Sequence, residues 1–66
     1  MQEYQRRITD ELKVLNVKRD ALRKFIMDQK GGFNDLSAEE KSLLISQQQI
    51  MGQYAEILGR RIKAFE

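Results

Sequence analysis

The stretch Lys30-Gly31-Gly32-Phe33-Asn34-Asp35-Leu36-Ser37 decides the fold, because it is the one break between two long amphipathic segments. Neither segment contains proline, and a pair of glycines is typical of the end of a helix. We therefore expect Gly31-Gly32 to cap the first helix, with glycine adopting a left-handed backbone conformation. The predicted fold is all-α: one domain over residues 1–66, an antiparallel hairpin with a helix over about residues 2–29, a turn over 30–36 and a helix over about 37–64.

The second helix carries a start signal. Ser37 followed by Glu40 has the spacing of a capping box, in which each side chain bonds the backbone N–H of the other. Glu39 and Glu40 suit the positive end of the helix dipole, and Leu36 stands where a hydrophobic staple is expected. These residues predict that the helix begins at Ser37.

Apolar residues recur along both helices at the spacing of a coiled-coil seam. On the first helix they are Ile8, Leu12, Leu15, Leu22 and Ile26, and on the second they form two lines, Leu43, Ile50, Ile57 and Leu44, Met51, Leu58, Phe65. Folding the hairpin about residue 33 pairs positions whose numbers sum to roughly 66. Leu15 then meets Met51, Leu12 meets Tyr54, and Ile8 meets Leu58. In these layers the paired side chains are largely apolar. One layer differs, because there Arg19 faces Gln47 and both side chains are polar.

The first helix also carries a side stripe of Val14, Val17 and Ala21. Seam and stripe together present more apolar surface than one partner helix can cover, and a chain of 66 residues has little core of its own. We therefore predict that the hairpin assembles with copies of itself into a helical-bundle homo-oligomer. The alternative is that the stripe stays half exposed.

Composition excludes several classes of protein. The chain has no cysteine and no histidine, and no clustered carboxylates mark a catalytic base, so we expect neither an enzyme nor a metal or cofactor. A third of the residues are charged but the net charge is only +2, which identifies no partner. No segment has the apolar run of a signal peptide or a membrane span, so we expect a soluble cytoplasmic protein.

Gln47, Tyr54 and Arg61 recur every seven residues and so lie on one line of the second helix. An amide, an aromatic ring with a hydroxyl and a planar guanidinium could together hold a nucleobase and a phosphate. They could equally form a ladder between helices, with Arg61 paired to an acid such as Asp10 or Glu11. A groove of small residues, Gly52, Ala55 and Gly59, would admit either a closely packed helix or a flat ligand.

The open end of the hairpin is basic. The predicted register places five cations together there, namely Arg6, Arg7, Arg60, Arg61 and Lys63. They form either an anion site or a solvated helix end whose cations suit the C-terminal dipole of the second helix.

The second helix resembles that of a family of very small phage proteins first described in crAss-like phages. The family pattern is two leucines followed by glutamine, methionine, tyrosine, leucine and arginine. The matching residues here are Leu43, Leu44, Gln47, Met51, Tyr54, Leu58 and Arg61. A shorter resemblance links residues 33–40 to the hairpin domain of the anti-CBASS and anti-Thoeris cyclic-nucleotide sponges, which have an aromatic residue before a leucine–serine–acid–acid helix start. Asn34 stands where those sponges carry arginine.

These resemblances imply a phage counter-defence protein that binds a host nucleotide signal, such as a cyclic nucleotide or a cyclic ADP-ribose isomer, without cleaving it. In that role Phe33 or Tyr54 would stack on a base while the basic end takes the phosphates. The alternative is a non-catalytic interaction protein that docks its apolar helical face on a host or phage protein. Nucleic-acid binding by the basic end is a third option, which the near-neutral charge disfavours.

Overall fold

The structure is a computed structural model that describes residues 2–28 and 30–65. Two helices, α1 (Glu3–Met27) and α2 (Ala38–Ala64), are joined by a short 3-10 turn (Gly32–Asp35), and the described residues form no strand. The all-α hairpin is therefore confirmed. The predicted limit of the first helix at Gln29, and the chain ends Met1 and Glu66, lie outside the described residues.

The predicted start of α2 is confirmed. The backbone N–H of Glu40 donates to the Ser37 hydroxyl at 3.1 Å, while Ser37 itself is extended. This bond satisfies one of the N–H groups that the first turn of a helix leaves unpaired. The reciprocal bond from the Ser37 backbone to the Glu40 side chain is not formed among the described residues.

The glycine pair does not act as predicted. No glycine among the described residues has a positive φ, so the left-handed cap expected at Gly31-Gly32 was wrong. Instead α1 ends through Asp28, which is extended and accepts hydrogen bonds from the N–H groups of Lys30 and Gly31 at 3.0 and 3.1 Å. A Cβ at Gly31 would lie 2.9 Å from the Asp28 carboxylate. Glycine at this position therefore leaves room for the Asp28 side chain and does not supply a left-handed backbone angle.

Phe33 holds the turn against α1. Its ring is only 8% exposed and meets the Phe25 ring edge to face, with centroids 6.1 Å apart. The ammonium group of Lys41 lies 5.9 Å from the centroid of the Phe33 ring. Aromatic pairs of this geometry contribute about 0.5–1.5 kcal/mol beyond the area they bury, so Phe33 stabilises the turn.

The core lies in the half of the hairpin nearer its open end. It consists of Ile8, Leu15, Ala55 and Leu58, with Leu12, Met51, Ile62 and Phe65 packed around it. Leu58 is fully buried. Tyr4 and Phe65 pack edge to face at 6.1 Å, which places the start of α1 beside the end of α2.

The predicted register was close but wrong in two layers. Ala55, and not Tyr54, is the buried residue of the central core. In the polar layer Arg19 shares a cleft with Gln48, and Gln47 is exposed. Successive residues of a helix point about 100° apart around its axis. An error of one position in the predicted register therefore replaces a buried residue of α2 by its neighbour at the border of the interface.

Large apolar side chains remain exposed on both helices. They include Val14, Val17 and Met27 on α1 and Leu43, Ile50 and Ile57 on α2, each with more than half of its surface accessible. The single hairpin therefore buries only part of its apolar surface, as expected from the side stripe. Assembly into a homo-oligomer stays a prediction.

Candidate functional site

A groove lies beside Tyr54. It is open to solvent and has a volume of about 480 Å³, within the ~300–1,000 Å³ that small-molecule sites occupy. Its lining residues are Arg7, Asp10, Glu11, Val14, Leu15, Lys18 and Tyr54. We call it the Tyr54 groove. It offers an aromatic ring that is 42% exposed next to apolar and charged side chains of α1.

Charges in the Tyr54 groove are mixed. Arg7 and Lys18 are balanced by Asp10 and Glu11. The Arg7 guanidinium also donates to Glu3 at 3.0 Å, but both side chains are more than 70% exposed. Exposed pairs four residues apart on a helix contribute only about 0.3–0.5 kcal/mol, so Arg7 can turn to a ligand at little cost.

The open end of the hairpin gathers the predicted cations. The contact between Tyr4 and Phe65 brings the first turns of α1 beside the last turns of α2, where Arg6, Arg60, Arg61 and Lys63 are all exposed. Arg60 donates to Glu56 at 2.9 Å. The ion pairs of the described residues do not include Arg6, Arg61 or Lys63. The pairing of Arg61 with Asp10 or Glu11, considered above, is therefore absent from this part of the chain.

The three residues that recur every seven positions on α2, namely Gln47, Tyr54 and Arg61, have different surroundings. Gln47 is exposed and its amide approaches the sulfur of Met51 at 3.9 Å. Tyr54 lines its groove, and Arg61 is exposed near the basic end. Seven residues of helix span about 10 Å. A small ligand that contacts Tyr54 can therefore reach Gln47 or Arg61 more easily than it can reach both.

Phe33 does not join the other candidate residues. It lies in the turn, and about 35 Å of helix separate Ala38 from Arg61 at about 1.5 Å per residue. Its ring is also buried against Phe25. The prediction that Phe33 stacks on a base while the basic end holds phosphates therefore has no basis within one chain, and Phe33 is assigned to packing.

A second, smaller opening lies in the middle of the hairpin. It encloses about 210 Å³ and is lined by Asn16, Arg19, Asp20, Arg23 and Gln48, which together we call the central cleft. Asp20 accepts hydrogen bonds from Lys24 and Arg23, and these two cations hold the pKa of its carboxyl below the usual value. No sequence motif marks this cleft. The one cue is a cation, Arg19, in an otherwise apolar seam.

The small-residue groove serves helix packing in part. Ala55 is buried, and a Cβ at Gly52 would lie 3.5 Å from the guanidinium of Arg19, whereas a Cβ at Gly59 would meet nothing within 4 Å. Across residues 2–28 and 30–65, no three acidic side chains stand close enough together to hold a metal ion. Neither α1 nor α2, as described, is apolar enough to span a bilayer.

Comparison with known proteins identifies relatives of the whole hairpin. The family model for Sequestin matches residues 2–64. An uncharacterized 7.5 kDa protein from the denB–rIIB intergenic region of Enterobacteria phage T4 is 43% identical over 63 residues, which make up 96% of this chain and 95% of the relative. No solved structure matches the chain. The prediction of a small phage family is confirmed at this level, while the links to crAss-like phages and to the cyclic-nucleotide sponges stay predictions.

Proposed function

The chain belongs to the Sequestin family, and we propose that it is a phage counter-defence protein that binds a nucleotide immune signal of the host and sequesters it without cleaving it. The family name denotes sequestration, and a relative comes from phage T4. The observation that carries the proposal is the Tyr54 groove, in which an exposed aromatic ring stands beside Arg7. Such a protein acts in the host cytoplasm, where the signal is made.

The groove and the basic end supply complementary contacts. Tyr54 offers a flat face on which a base can stack, a contact that contributes about 1–3 kcal/mol in single-stranded nucleic-acid complexes. Arg6, Arg61 and Lys63 are exposed cations outside the described ion pairs, so they are free to take phosphate oxygens by charge-assisted hydrogen bonds. Arg7 lies in the groove itself and connects the two regions.

Sequestration favours more than one copy of the hairpin. Tight sites bury ~70–90% of a small ligand, whereas the Tyr54 groove is an open surface on one chain. Val14, which lines the groove, is 55% exposed and its neighbour on the stripe, Val17, is 71% exposed. A second hairpin packed on this stripe would cover the apolar surface and close the groove. We therefore propose that the binding form is a homo-oligomeric helical bundle.

A panel of candidate signals tests the proposal. The purified protein is heated with cyclic dinucleotides, cyclic trinucleotides and cyclic ADP-ribose isomers, with adenosine monophosphate as the comparison. A sequestered ligand raises Tm because it stabilises the folded state by RT ln(1 + [L]/Kd). We expect one class to raise Tm in proportion to the logarithm of its concentration. No shift with any member up to millimolar concentration would contradict the proposal.

Substitutions at Arg61 separate ligand contact from structure. Arg61→Ala removes a charge-assisted hydrogen bond, so binding should weaken by about 1.5–3 kcal/mol, whereas Arg61→Lys keeps the charge but loses the planar fork. Tm without ligand and oligomer size should not change. Lys13→Ala, an exposed cation of α1 outside the Tyr54 groove, is the matched control. Unchanged ligand affinity in Arg61→Ala would exclude the phosphate-binding role.

The exposed apolar line of α2 favours a second candidate function. This line consists of Leu43, Ile50 and Ile57, which recur every seven residues, are exposed and lie outside the core. Such an arrangement is typical of a helix that docks on a partner protein. In that case Ile50→Lys should abolish capture of the partner and leave Tm unchanged, while no nucleotide of the panel binds.

A further inference from the structure

One line of exposed residues on α1 is complementary to itself. Its members recur every seven positions and so share one side of the helix, with the last just beyond the helix end: Arg7, Val14, Ala21 and Asp28. We call it the α1 line. A cation stands at one end, an acid at the other, and two apolar residues lie between them. An antiparallel copy of α1 would therefore place Arg7 beside the partner's Asp28. The same copy would place Val14 beside the partner's Ala21.

The exposed apolar line of α2 has the same property. Leu43, Ile50 and Ile57, which we call the α2 line, are equally spaced and each is more than half exposed. An antiparallel copy of α2 centred on Ile50 would pair Leu43 with the partner's Ile57 and Ile50 with the partner's Ile50. Two-fold symmetry requires an interface of this kind, in which one patch supplies both surfaces.

Both lines lie on the same broad side of the hairpin. Val14 of the α1 line is part of the Tyr54 groove. On α2, Tyr54 lies four residues after Ile50 and three before Ile57, and residues at these spacings are neighbours on a helix surface. The groove therefore borders both lines, and one partner surface can contact both.

The midpoints of the two lines lie at the same level along the hairpin. The midpoint of the α1 line falls between Val17 and Lys18, and that of the α2 line is Ile50. Arg19 and Gln48 face one cleft, which places them at one level. Counted from these two residues, Val17 and Ile50 are each two positions nearer the open end. A single two-fold axis at this level therefore pairs both lines at once.

The size and charge of this side of the hairpin suit a second copy. The Cα trace measures 45 Å by 17 Å along its two longest axes, comparable to the ~800 Å² that each partner of a stable complex buries. Arg7 is held only by an exposed ion pair with Glu3, so it can exchange that acid for the partner's Asp28 at little cost. Lys18 of each copy would lie near the axis, but it is exposed and its long side chain can turn the ammonium group to solvent.

We propose that two hairpins form a two-fold symmetric dimer, a four-helix bundle in which α1 packs antiparallel on the partner's α1 and α2 on the partner's α2. The dimer completes the Tyr54 groove. Along α2, Tyr54 lies about 6 Å from Ile50 toward the open end, and Gln47 lies about 4.5 Å from it in the other direction. The axis therefore brings the partner's Gln47 nearly to the level of Tyr54, whereas within one chain these two residues are about 10 Å apart. That the completed groove holds a nucleotide rests on the proposed function, but the dimer itself does not.

Single cysteines test the axis, because the chain has none of its own. Ile50→Cys should form a disulfide-linked dimer under mild oxidation, since the axis places this residue against its own copy. The matched control is Ile45→Cys, an isoleucine of α2 that is 44% exposed and points about 140° away from Ile50. A disulfide requires Cα atoms within about 7 Å, so the Ile50 variant should cross-link about tenfold faster than the control. Circular dichroism checks that both variants keep the helix content of the parent protein.

Mixtures of two variants test the direction of packing and the shared groove. Val14→Cys should cross-link with Ala21→Cys once subunits have exchanged, and Tyr54→Cys should cross-link with Gln47→Cys. Each of these four variants alone should react no faster than the Ile45→Cys control, because these residues lie away from the axis.

Three results would overturn the proposal. The first is a monomer in sedimentation equilibrium up to millimolar concentration, which would leave the α2 line to a different protein. The second is a dimer in which Ile50→Cys reacts no faster than Ile45→Cys. The third is a mixture of Tyr54→Cys and Gln47→Cys that does not cross-link, which would remove the shared groove. No step uses a nucleotide, so these results do not depend on whether any signal of the panel binds.

Discussion

Replacement of Arg19 by methionine should make the hairpin more stable. The substitution removes the guanidinium whose Nε–H is buried without a partner and keeps a long apolar side chain that can lie across Gly52. Relief of the unpaired donor is worth about 1–3 kcal/mol, and the lost bond to Asn16 is exposed and worth about 0.5–1.5 kcal/mol. The expected net gain is about 1 kcal/mol, or a rise in Tm of roughly 4–8 °C for a domain of this size.

Thermal and urea unfolding, followed by far-ultraviolet circular dichroism at one fixed protein concentration, measure this change. The parent protein and Arg19→Met are compared in the same buffer. Arg60→Met is the matched control, because the Arg60 side chain is 79% exposed and its loss should change stability by less than about 0.5 kcal/mol.

A free energy of unfolding at least 1 kcal/mol lower for Arg19→Met than for the parent protein would contradict this prediction. That result would mean that the guanidinium contributes more through its contacts with Asn16 and α2 than its unpaired nitrogen costs. The polar layer would then be a structural feature of the interface.

Three further predictions concern the core, the helix start and acid stability. Leu58→Ala, at a fully buried position, should cost about 2–5 kcal/mol in urea unfolding; a loss below 1 kcal/mol would contradict the assigned core. Ser37→Ala should lower the free energy of unfolding by about 0.5–2 kcal/mol, because the helix loses its cap. Ser42→Ala, on the exposed face of α2, should lower it less. Equal losses in the two variants would refute the capping role. Hydrogen bonds from Lys24 and then Arg23 lower the pKa of Asp20, so its stabilising contribution is complete above its ordinary value of 3.8 and lost as pH falls through the lower folded pKa. Asp20→Asn should therefore reduce the fall of the urea midpoint between pH 5 and pH 2, and parallel curves would refute this.

The hairpin could be predicted because its signals are local. A helix start such as Ser37-Ala38-Glu39-Glu40 depends only on neighbouring residues, and seven-residue spacing of apolar side chains depends only on the helical repeat. The Ser37 cap and the all-α hairpin are present for these reasons.

The helix register could be predicted only to within about one residue. Pairing residues by their distance in sequence from the turn ignores the rotation of each helix about its axis. It also ignores the size of the side chains between the helices. Ala55 takes the core position expected of Tyr54, whose side chain is 42% exposed. The same shift replaces Gln47 by Gln48 in the polar layer, and the central cleft depends on that difference.

The role of Gly31 could not be predicted because glycine answers two different needs. A left-handed backbone and a close approach both require the absence of a Cβ, and the sequence does not distinguish them. Here the backbone of Gly31 is not left-handed, and the Asp28 carboxylate lies 2.9 Å from the place that a Cβ would take. In the same way, the sequence marks Phe33 as an aromatic residue in a turn but does not reveal that its ring is covered by Phe25.

Recovery of the bound signal tests the central claim most directly. The protein is dialysed against the nucleotide that raises Tm most, then denatured, and the released ligand is examined by chromatography and mass spectrometry. We predict saturable depletion of free ligand at a fixed stoichiometry, with release of the same molecule at unchanged mass. Release of a cleaved product, or no depletion at protein concentrations above that of the ligand, would contradict sequestration without cleavage.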